Sequence, residues 1–469
     1  MNYELCINDN VKDFIKKHLN DDVNKLALSK FPEGVDKQFV IRQIQARQVL
    51  SKKLPSWAAN DELIFPKKLS LEQCSSELTA KYKTSLSSKL HEMSRKEFCD
   101  NSCDLADEKE ISADSCDLAD EKEISEDSCD LVDEKRILVD LTGGMGVDTA
   151  YLSDNFDKTF YVEMQEELCE MARHNFKILN KNIEVVNDNA EHFLTICDEV
   201  DCIYLDPARR DEYGRKMVSL HDCSPDVAEL HDILLKKAKK VLVKVSPMLD
   251  IEMIKKELTN IIEIHVVAVR NECKEILLEI QKLKNSKTQN LSNSATQQLI
   301  ISATDLREGW NFSFTEEEER NAEWTLADSV GKYLYELGIA CMKAGCFKLL
   351  SQKYNLDKLH RNSHLYTSDE LVDDFPGRIF EVVCAVPFDK KVKKEISLIC
   401  QQTTDNGQQT DSKLKAQGSK PKASVAVRNF PLSAEELKKN LGLQDGNDFY
   451  IFGTTMKGEK KVVILTKKV

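Results

Sequence analysis

Apolar positions near the start of the chain recur at helical spacing. Val11, Phe14, Ile15, Leu19, Val23 and Leu26 predict helices with one apolar face. After Phe31-Pro32-Glu33-Gly34, Asp36 is placed to cap a second helix, which buries Phe39, Val40, Ile44 and Val49 and stops at Pro55. Arg42, Arg47, Lys52 and Lys53 share its polar side. Such a side is more often a solvated face than a nucleic-acid contact. A third helix is predicted from about Leu71 to Leu90, opened by Ser70. Residues 1–99 thus read as a helical domain.

From Arg136 the pattern changes to short apolar runs of strand length: Ile137–Val139, Thr159–Val162, Ile183–Val186, Cys202–Leu205 and Val241–Val245. Helical stretches such as Glu166–Leu179 lie between them, which predicts a parallel sheet covered on both faces. Ile261–Val269 and Glu275–Ile280 follow, separated by Arg270–Lys274 alone. That link is too short for a crossover, so the two strands must pair antiparallel. This α/β unit spans 134–282. A polar linker covers 281–296, and 297–395 is mixed α/β. A second polar linker, 401–423, precedes a strand at Ala423–Val427, a capped helix at Ser433–Asn440 and strands at Phe449–Phe452 and Val462–Thr466.

Composition adds three points. The 469 residues, 41% of them hydrophobic, suffice for several domains. No apolar run reaches the ~18 residues of a membrane span, and Met1–Asn10 lacks a signal pattern, so a soluble cytoplasmic protein is expected. The 15 cysteines are scattered without a Cys-x-x-Cys pair. Cys341 and Cys346 have no second pair to complete a metal site; reduced, buried thiols and no metal are the expectation.

The net charge of −14 is local in origin. Residues 100–134 carry 15 acids and 2 lysines, and the rest of the chain sums to −1. Within that remainder, 390–469 hold 16 basic and 8 acidic residues, a net +8 that can attract phosphates. The acidic stretch repeats with period 13: Ser102-Cys103-Asp104-Leu105 returns at Ser115 and at Ser128. Three such charged copies are too few to stack, and residues 100–133 read as a disordered insert.

The candidate chemistry sits at strand ends. Asp140-Leu141-Thr142-Gly143-Gly144-Met145-Gly146 closes the first strand with a glycine turn that lets the backbone approach a ligand. Glu163 ends the second strand, where a carboxylate can accept ribose hydroxyls, and Asp188 follows the third, where one can meet an adenine amine. Asp206-Pro207-Ala208-Arg209-Arg210 follows the fourth. Each acid alone can also be read as an exposed turn residue, Asp188 equally well. Four in order on four successive strand ends fit that reading poorly.

These stretches resemble the motifs of class I S-adenosylmethionine-dependent methyltransferases. Asp140–Gly146 is similar to motif I, with Thr142 at the place of its first glycine; Asp206-Pro207-Ala208-Arg209 is similar to motif IV. Ala208 and Arg209 replace the proline and aromatic usual in amino-group methyltransferases. The whole chain resembles a bacterial family of such enzymes with ferredoxin-like and THUMP-like C-terminal domains. The resemblance rests on Leu71-Glu72-Gln73-Cys74-Ser75-Ser76-Glu77, Val243-Lys244-Val245-Ser246-Pro247, Met342-Lys343-Ala344-Gly345, Phe375-Pro376-Gly377-Arg378 and Arg428-Asn429-Phe430-Pro431-Leu432-Ser433. It implies a Rossmann-like domain at 134–282, a ferredoxin-like domain at about 346–395 and a THUMP-like domain at 396–469. It implies S-adenosylmethionine as cofactor, held by Asp140, Thr142, Gly143, Gly144, Gly146, Glu163 and Asp188. It implies Asp206, Pro207 and Arg209 at the reacting end, and RNA (tRNA or rRNA) as partner. Two other readings stay open: a non-catalytic RNA-binding or assembly factor of the same fold, and a methyltransferase acting on protein or a small molecule.

Overall fold

The computed structural model describes residues 8–31, 35–88, 135–209, 219–282, 298–405 and 421–469. The acidic repeat, Arg210 and most of both polar linkers lie outside the described residues. The chain forms two compact units, Met1–Asn260 with Glu279–Lys287 and Ile261–Leu278 with Thr288–Val469.

The first unit opens with α1 (Asp9–Lys17), α2 (Val23–Ala27), α3 (Lys37–Lys53), α4 (Pro55–Ala58), α5 (Lys68–Gln73) and α6 (77–88). Asp36 caps α3 as expected, accepting from the backbone N–H of Gln38 and Phe39. Three expectations need correction. Val49 is exposed. Arg47 is buried, because the segment after α4 brings three bare carbonyls to α3. Its guanidinium donates to the carbonyls of Asn60, Asp61 and Leu63 at 3.2, 3.1 and 2.9 Å. Burial lowers its pKa to about 10. Finally, the helix expected over 71–90 is two helices. Cys74 is extended, and Ser76 starts α6 by accepting from the Thr79 N–H at 3.2 Å.

These helices do not form a core of their own. Leu50, Leu54, Trp57, Phe65 and Leu71 pack in one cluster with Met145, Val147, Tyr161 and Phe176. The strands behind that cluster are β1 (Ile137–Asp140), β2 (Lys158–Glu163), β3 (Ile183–Asn187), β4 (Val200–Leu205), the two-residue β5 (Ala208–Arg209) and β6 (Cys223–Ser224), and β7 (Ala238–Val245). Helices α7 (Val147–Leu152), α8 (Glu166–Ile178), α9 (Ala190–Ile196), α10 (Val227–Lys237) and α11 (Ile251–Glu257) connect them or follow them. The main strands run parallel in the order β7-β4-β1-β2-β3. Strand order reverses between β1 and β4, and the crevice beyond the carboxyl ends of those strands is where such sheets bind ligands.

In the second unit β8 (Ile261–Val269) and β9 (Glu272–Gln281) are neighbours joined by Arg270 and Asn271, both with positive φ. Two residues in that conformation make a hairpin turn, so the pair is antiparallel as expected. β10 (Ile300–Asp305) adds parallel to β8, and β11 (Trp310–Thr315) antiparallel to β10. After α12 (Glu316–Asn321) comes a seven-stranded sheet, β13-β14-β12-β15-β18-β17-β16. Its strands are β12 (Tyr333–Leu337), β13 (Asp357–Lys358), β14 (Leu365–Ser368), β15 (Gly377–Pro387), β16 (Lys422–Arg428), β17 (Gln444–Met456) and β18 (Lys460–Lys468). Helices α13 (Ile339–Ala344), α14 (Lys348–Tyr354), α15 (Val392–Asp405) and α16 (Ala434–Leu441) accompany it. Ser433 closes a reciprocal cap with Glu436 on α16, as its spacing predicts. β18 pairs with β15, and α15 runs through residue 396, so this sheet spans the expected domain boundary. No helix among the described residues is long and apolar enough to cross a membrane.

Candidate active site

The glycine turn between β1 and α7 is fixed from three sides. A Cβ on Gly143 would lie 2.2 Å from the Tyr161 ring, and one on Gly146 would lie 2.8 Å from Phe176. Those two glycines let the turn sit directly on the aromatic core. Gly144 differs. Its φ is +54°, and an added Cβ would meet only the Thr142 carbonyl, at an ordinary contact distance of 3.7 Å, so the conformation and not crowding calls for glycine. Tyr161 Oη donates to the Gly144 carbonyl at 2.6 Å. Burial, with Glu163 nearby, pushes the Tyr161 phenol well above its ordinary pKa, so it stays a donor.

The strand-end acids gather around this turn. Asp140 is 1% exposed. It accepts from the Thr142 N–H at 2.9 Å and from Thr149 Oγ1 at 2.5 Å. Burial outweighs those bonds and raises its pKa to about 7. Glu163 accepts from the Gly144 N–H at 3.0 Å and the Gln165 N–H at 2.9 Å. Two amides fix that carboxylate, and each oxygen keeps acceptor capacity. Thr142 does not occupy the left-handed region, so a side chain costs nothing there. Its Oγ1 accepts from the Asp206 N–H at 2.6 Å and ties the end of β4 to the end of β1.

Asp206 pairs with Lys244 at the end of β7. Pro207 is half-buried beside it, and Arg209 lies on β5, which pairs with β6. Asp188 stands apart from this cluster. It accepts from its neighbour Asn189 N–H and pairs with His192 at 2.6 Å, and that bond holds its pKa below the ordinary range.

The motif reading missed two features. Lys244 is the cation on Asp206, and a charged residue in the apolar run Val241–Val245 was its signal. The second is a buried network behind the turn. Lys83, fully buried, lies 3.3 Å from Asp148. Ser75 and Tyr204 donate to the same carboxylate at 2.7 and 2.8 Å. Burial alone would raise the Asp148 pKa; Lys83 and Lys244, with the Ser75 and Tyr204 hydroxyls, bring it below the usual value. Ser75 and Lys83 come from the N-terminal helical region, which therefore supplies part of the site's wall.

The crystal structure of a candidate methyltransferase from Porphyromonas gingivalis W83 is 30% identical, with a TM-score of 0.74 over 100% of this chain and 99% of that one. The chain belongs to that methyltransferase family. It has the class I S-adenosylmethionine-dependent methyltransferase fold, with S-adenosylmethionine as cofactor and ferredoxin-like and THUMP-like C-terminal domains. Here residues 333–376 match a ferredoxin-like domain and 403–468 a THUMP domain-like family. The ferredoxin-like match starts at β12, ahead of the residue 346 expected from sequence. Partial likenesses include an rRNA methylase from Streptococcus thermophilus (16% identity, 32% of this chain and 89% of that one, TM-score 0.23). Another is a candidate methyltransferase from Streptococcus mutans in complex with SAH (16%, 32% and 90%, TM-score 0.25). No curated protein matches the sequence. In this chain the glycine turn, Glu163 and Asp206 stand at the ends of the neighbouring strands β1, β2 and β4 of the parallel sheet.

Proposed function

We propose that this methyltransferase modifies RNA, a tRNA or an rRNA, and that the site around the glycine turn performs the transfer. The observation that carries the reading is the bond network joining Gly144 to Glu163 and Thr142 to Asp206. It brings an acceptor for ribose hydroxyls and an acceptor for a target proton to one turn. The residues fit the cofactor. Gly144 is uncrowded by side chains, with a left-handed φ that keeps its backbone bare, and Glu163 is held by two amides while its oxygens can accept more. Asp140, Thr142, Gly143, Gly144 and Gly146 form the cradle, Glu163 takes the ribose, and Asp188 takes the adenine amine.

When bound, S-adenosylmethionine supplies an electrophilic methyl group. The protein's part is to position a nucleophile and exclude water. Asp206 accepts a hydrogen bond from the target group and aims its lone pair. Lys244 and Thr142 fix Asp206 in place from its side chain and its backbone. Pro207 shapes the adjoining backbone, and Arg209 meets a phosphate or base edge. RNA as substrate is supported by the THUMP-like match and by the +8 charge of residues 390–469.

The test is nucleoside mass spectrometry of total RNA from a deletion strain and its parent, followed by transfer of labelled methyl to the RNA that differs. One modified nucleoside should vanish on deletion and return with the purified protein. Identical nucleoside profiles, with no transfer in vitro, would favour a non-catalytic RNA-binding protein of the same fold.

A further inference from the structure

At one end of the seven-stranded sheet, cationic side chains and a half-buried histidine gather around one buried carboxylate. Glu336, next to last in β12, lies opposite Leu365 of β14 and Arg378 of β15. Lys358 ends β13 opposite Tyr366. His364 directly precedes β14, and Arg428 ends β16. The sheet curls enough for Arg428 Nη2 to reach Glu336 Oε1 at 2.8 Å, while Arg378 holds the other oxygen of that carboxylate. Glu336 is 2% exposed, yet the side chains of Arg378 and Arg428 each keep more than a third of their surface. Both guanidiniums thus retain accessible donors beyond the ones Glu336 uses.

Lys358 is 2% exposed and forms no side-chain hydrogen bond or ion pair among the described residues. Its ammonium meets ring faces instead: Trp324 at 5.0 Å, Tyr366 at 5.8 Å and Phe347 at 5.9 Å. The acid that acts on it electrostatically, Glu319, is committed elsewhere. Its carboxylate accepts the backbone N–H groups of Phe347, Lys348 and Leu349 at 3.0, 2.8 and 2.9 Å, at the start of α14. His364 shares the Phe347 ring with Lys358, its own ring centroid 3.9 Å from that of Phe347. It is held there with φ +51°, and its Nδ1 is buried without a partner. Burial, then Lys358 and Arg428, lower the His364 pKa to about 4, so the ring is neutral near pH 7.

A buried ammonium without an acceptor and a buried imidazole nitrogen without a partner are each costly. One anion can satisfy both. A point charge from lysine, a fork from arginine and a ring N–H suit a tetrahedral oxyanion with several acceptor oxygens. We propose that Lys358, His364 and Arg428 form a binding site for a phosphate group, shared by the regions that match the ferredoxin-like and THUMP-like domains. The inference is independent of methyl transfer. The phosphate belongs either to a polynucleotide or to a free nucleotide, and the test has an arm for each.

The full-length protein is compared with Lys358→Met, which keeps the apolar stem and removes the charge, and with His364→Gln. Melting temperature is followed while inorganic phosphate or AMP replaces chloride at constant ionic strength. In parallel, fluorescence anisotropy measures affinity for a short labelled RNA. Calorimetry with S-adenosylmethionine checks that each variant is folded. Phosphate or AMP should raise the melting temperature of the parent and not of Lys358→Met. If the source is a polynucleotide, RNA affinity should also drop at least tenfold in both variants. If it is a free nucleotide, AMP stabilises the parent and RNA affinity is unchanged. A parent indifferent to phosphate and AMP, with RNA affinity unaltered in both folded variants, overturns the site and leaves Lys358 as a packing residue in an aromatic box. That result would leave the methyl-transfer reading intact, because neither residue belongs to the glycine turn's unit.

Discussion

The glycine turn of the first unit and the curled sheet end of the second treat buried charge in opposite ways. Around the turn every buried acid has a hydrogen-bond partner or a cation, although Asp148 Oδ1 has the Lys83 ion pair alone and no hydrogen bond. Asp140 has a hydroxyl and an amide, Glu163 has two amides, and Asp148 has a lysine and two hydroxyls. At the sheet end the carboxylate is matched twice over, while Lys358 and His364 Nδ1 are not matched at all. A saturated network fixes geometry before any ligand arrives, which suits positioning. An unsaturated one stores affinity for what would complete it. The same burial thus serves two purposes, and substitutions should separate them.

The largest effect is expected where the saturated network meets the reacting group. Asp206→Ala should lower the transfer rate by about 10²–10⁴-fold, since it removes a positioned proton acceptor. S-adenosylmethionine and RNA should still bind. Single-turnover kinetics with labelled cofactor give the readout, and an unchanged rate would remove Asp206 from the chemistry. Next comes the wall behind the turn. Lys83→Met leaves Asp148 buried beside two hydroxyls with Lys244 as its remaining cation, and breaking a buried pair costs about 3–5 kcal/mol. Chemical denaturation should show that loss, and adding Asp148→Asn should recover part of it. Additive losses would mean the two side chains do not interact.

Asp140 gives the comparison a pH axis. Its folded pKa of about 7 lies above the ordinary carboxyl value, so the folded protein keeps a proton that the unfolded chain has shed. Stability should therefore fall as pH rises from about 4 through 7, by roughly 2–3 kcal/mol between pH 5 and 8. Asp140→Asn should flatten that slope in denaturation curves at each pH. A slope that survives the substitution would assign it to another group. A smaller effect is expected at Glu163. Glu163→Ala should weaken S-adenosylmethionine binding by about 1–3 kcal/mol in calorimetry. Full affinity in a folded variant would move the ribose site elsewhere.

Much of this was legible in the sequence, for a physical reason. Strand ends in a parallel sheet point the same way, so acids at the ends of successive apolar runs must converge. Asp140, Glu163 and Asp206 did. Asp188 is less integrated, because its bonds are local ones to Asn189 and His192. Arg47 misled because a cation on a helix reads as solvated until a chain segment with bare carbonyls folds over it. Lys83 and Ser75 were not legible as wall residues, since their partner Asp148 is far along the chain and no spacing links them. The sheet joining β15 to β18 was equally hidden. It makes residues 396–469 a poor candidate for removal, because truncation there strips a strand from β15 and takes Arg428 from Glu336.

The smallest predicted effect concerns the residue that departs from the glycine pattern. A glycine at position 142 would leave the Asp206 N–H without its acceptor, so threonine here adds a bond rather than breaking a rule. Its backbone needs no positive φ, and the hydroxyl spans two strand ends that side chains on the turn would otherwise not connect. Thr142→Ala removes one hydrogen bond, worth about 1 kcal/mol, and leaves the turn's glycines in place. The transfer rate should drop by roughly fivefold at most, with S-adenosylmethionine affinity nearly unchanged. Thr142→Ser keeps the acceptor and should restore the rate. If alanine and serine behave alike, the hydroxyl does not hold Asp206, and Lys244 alone sets the orientation of that carboxylate.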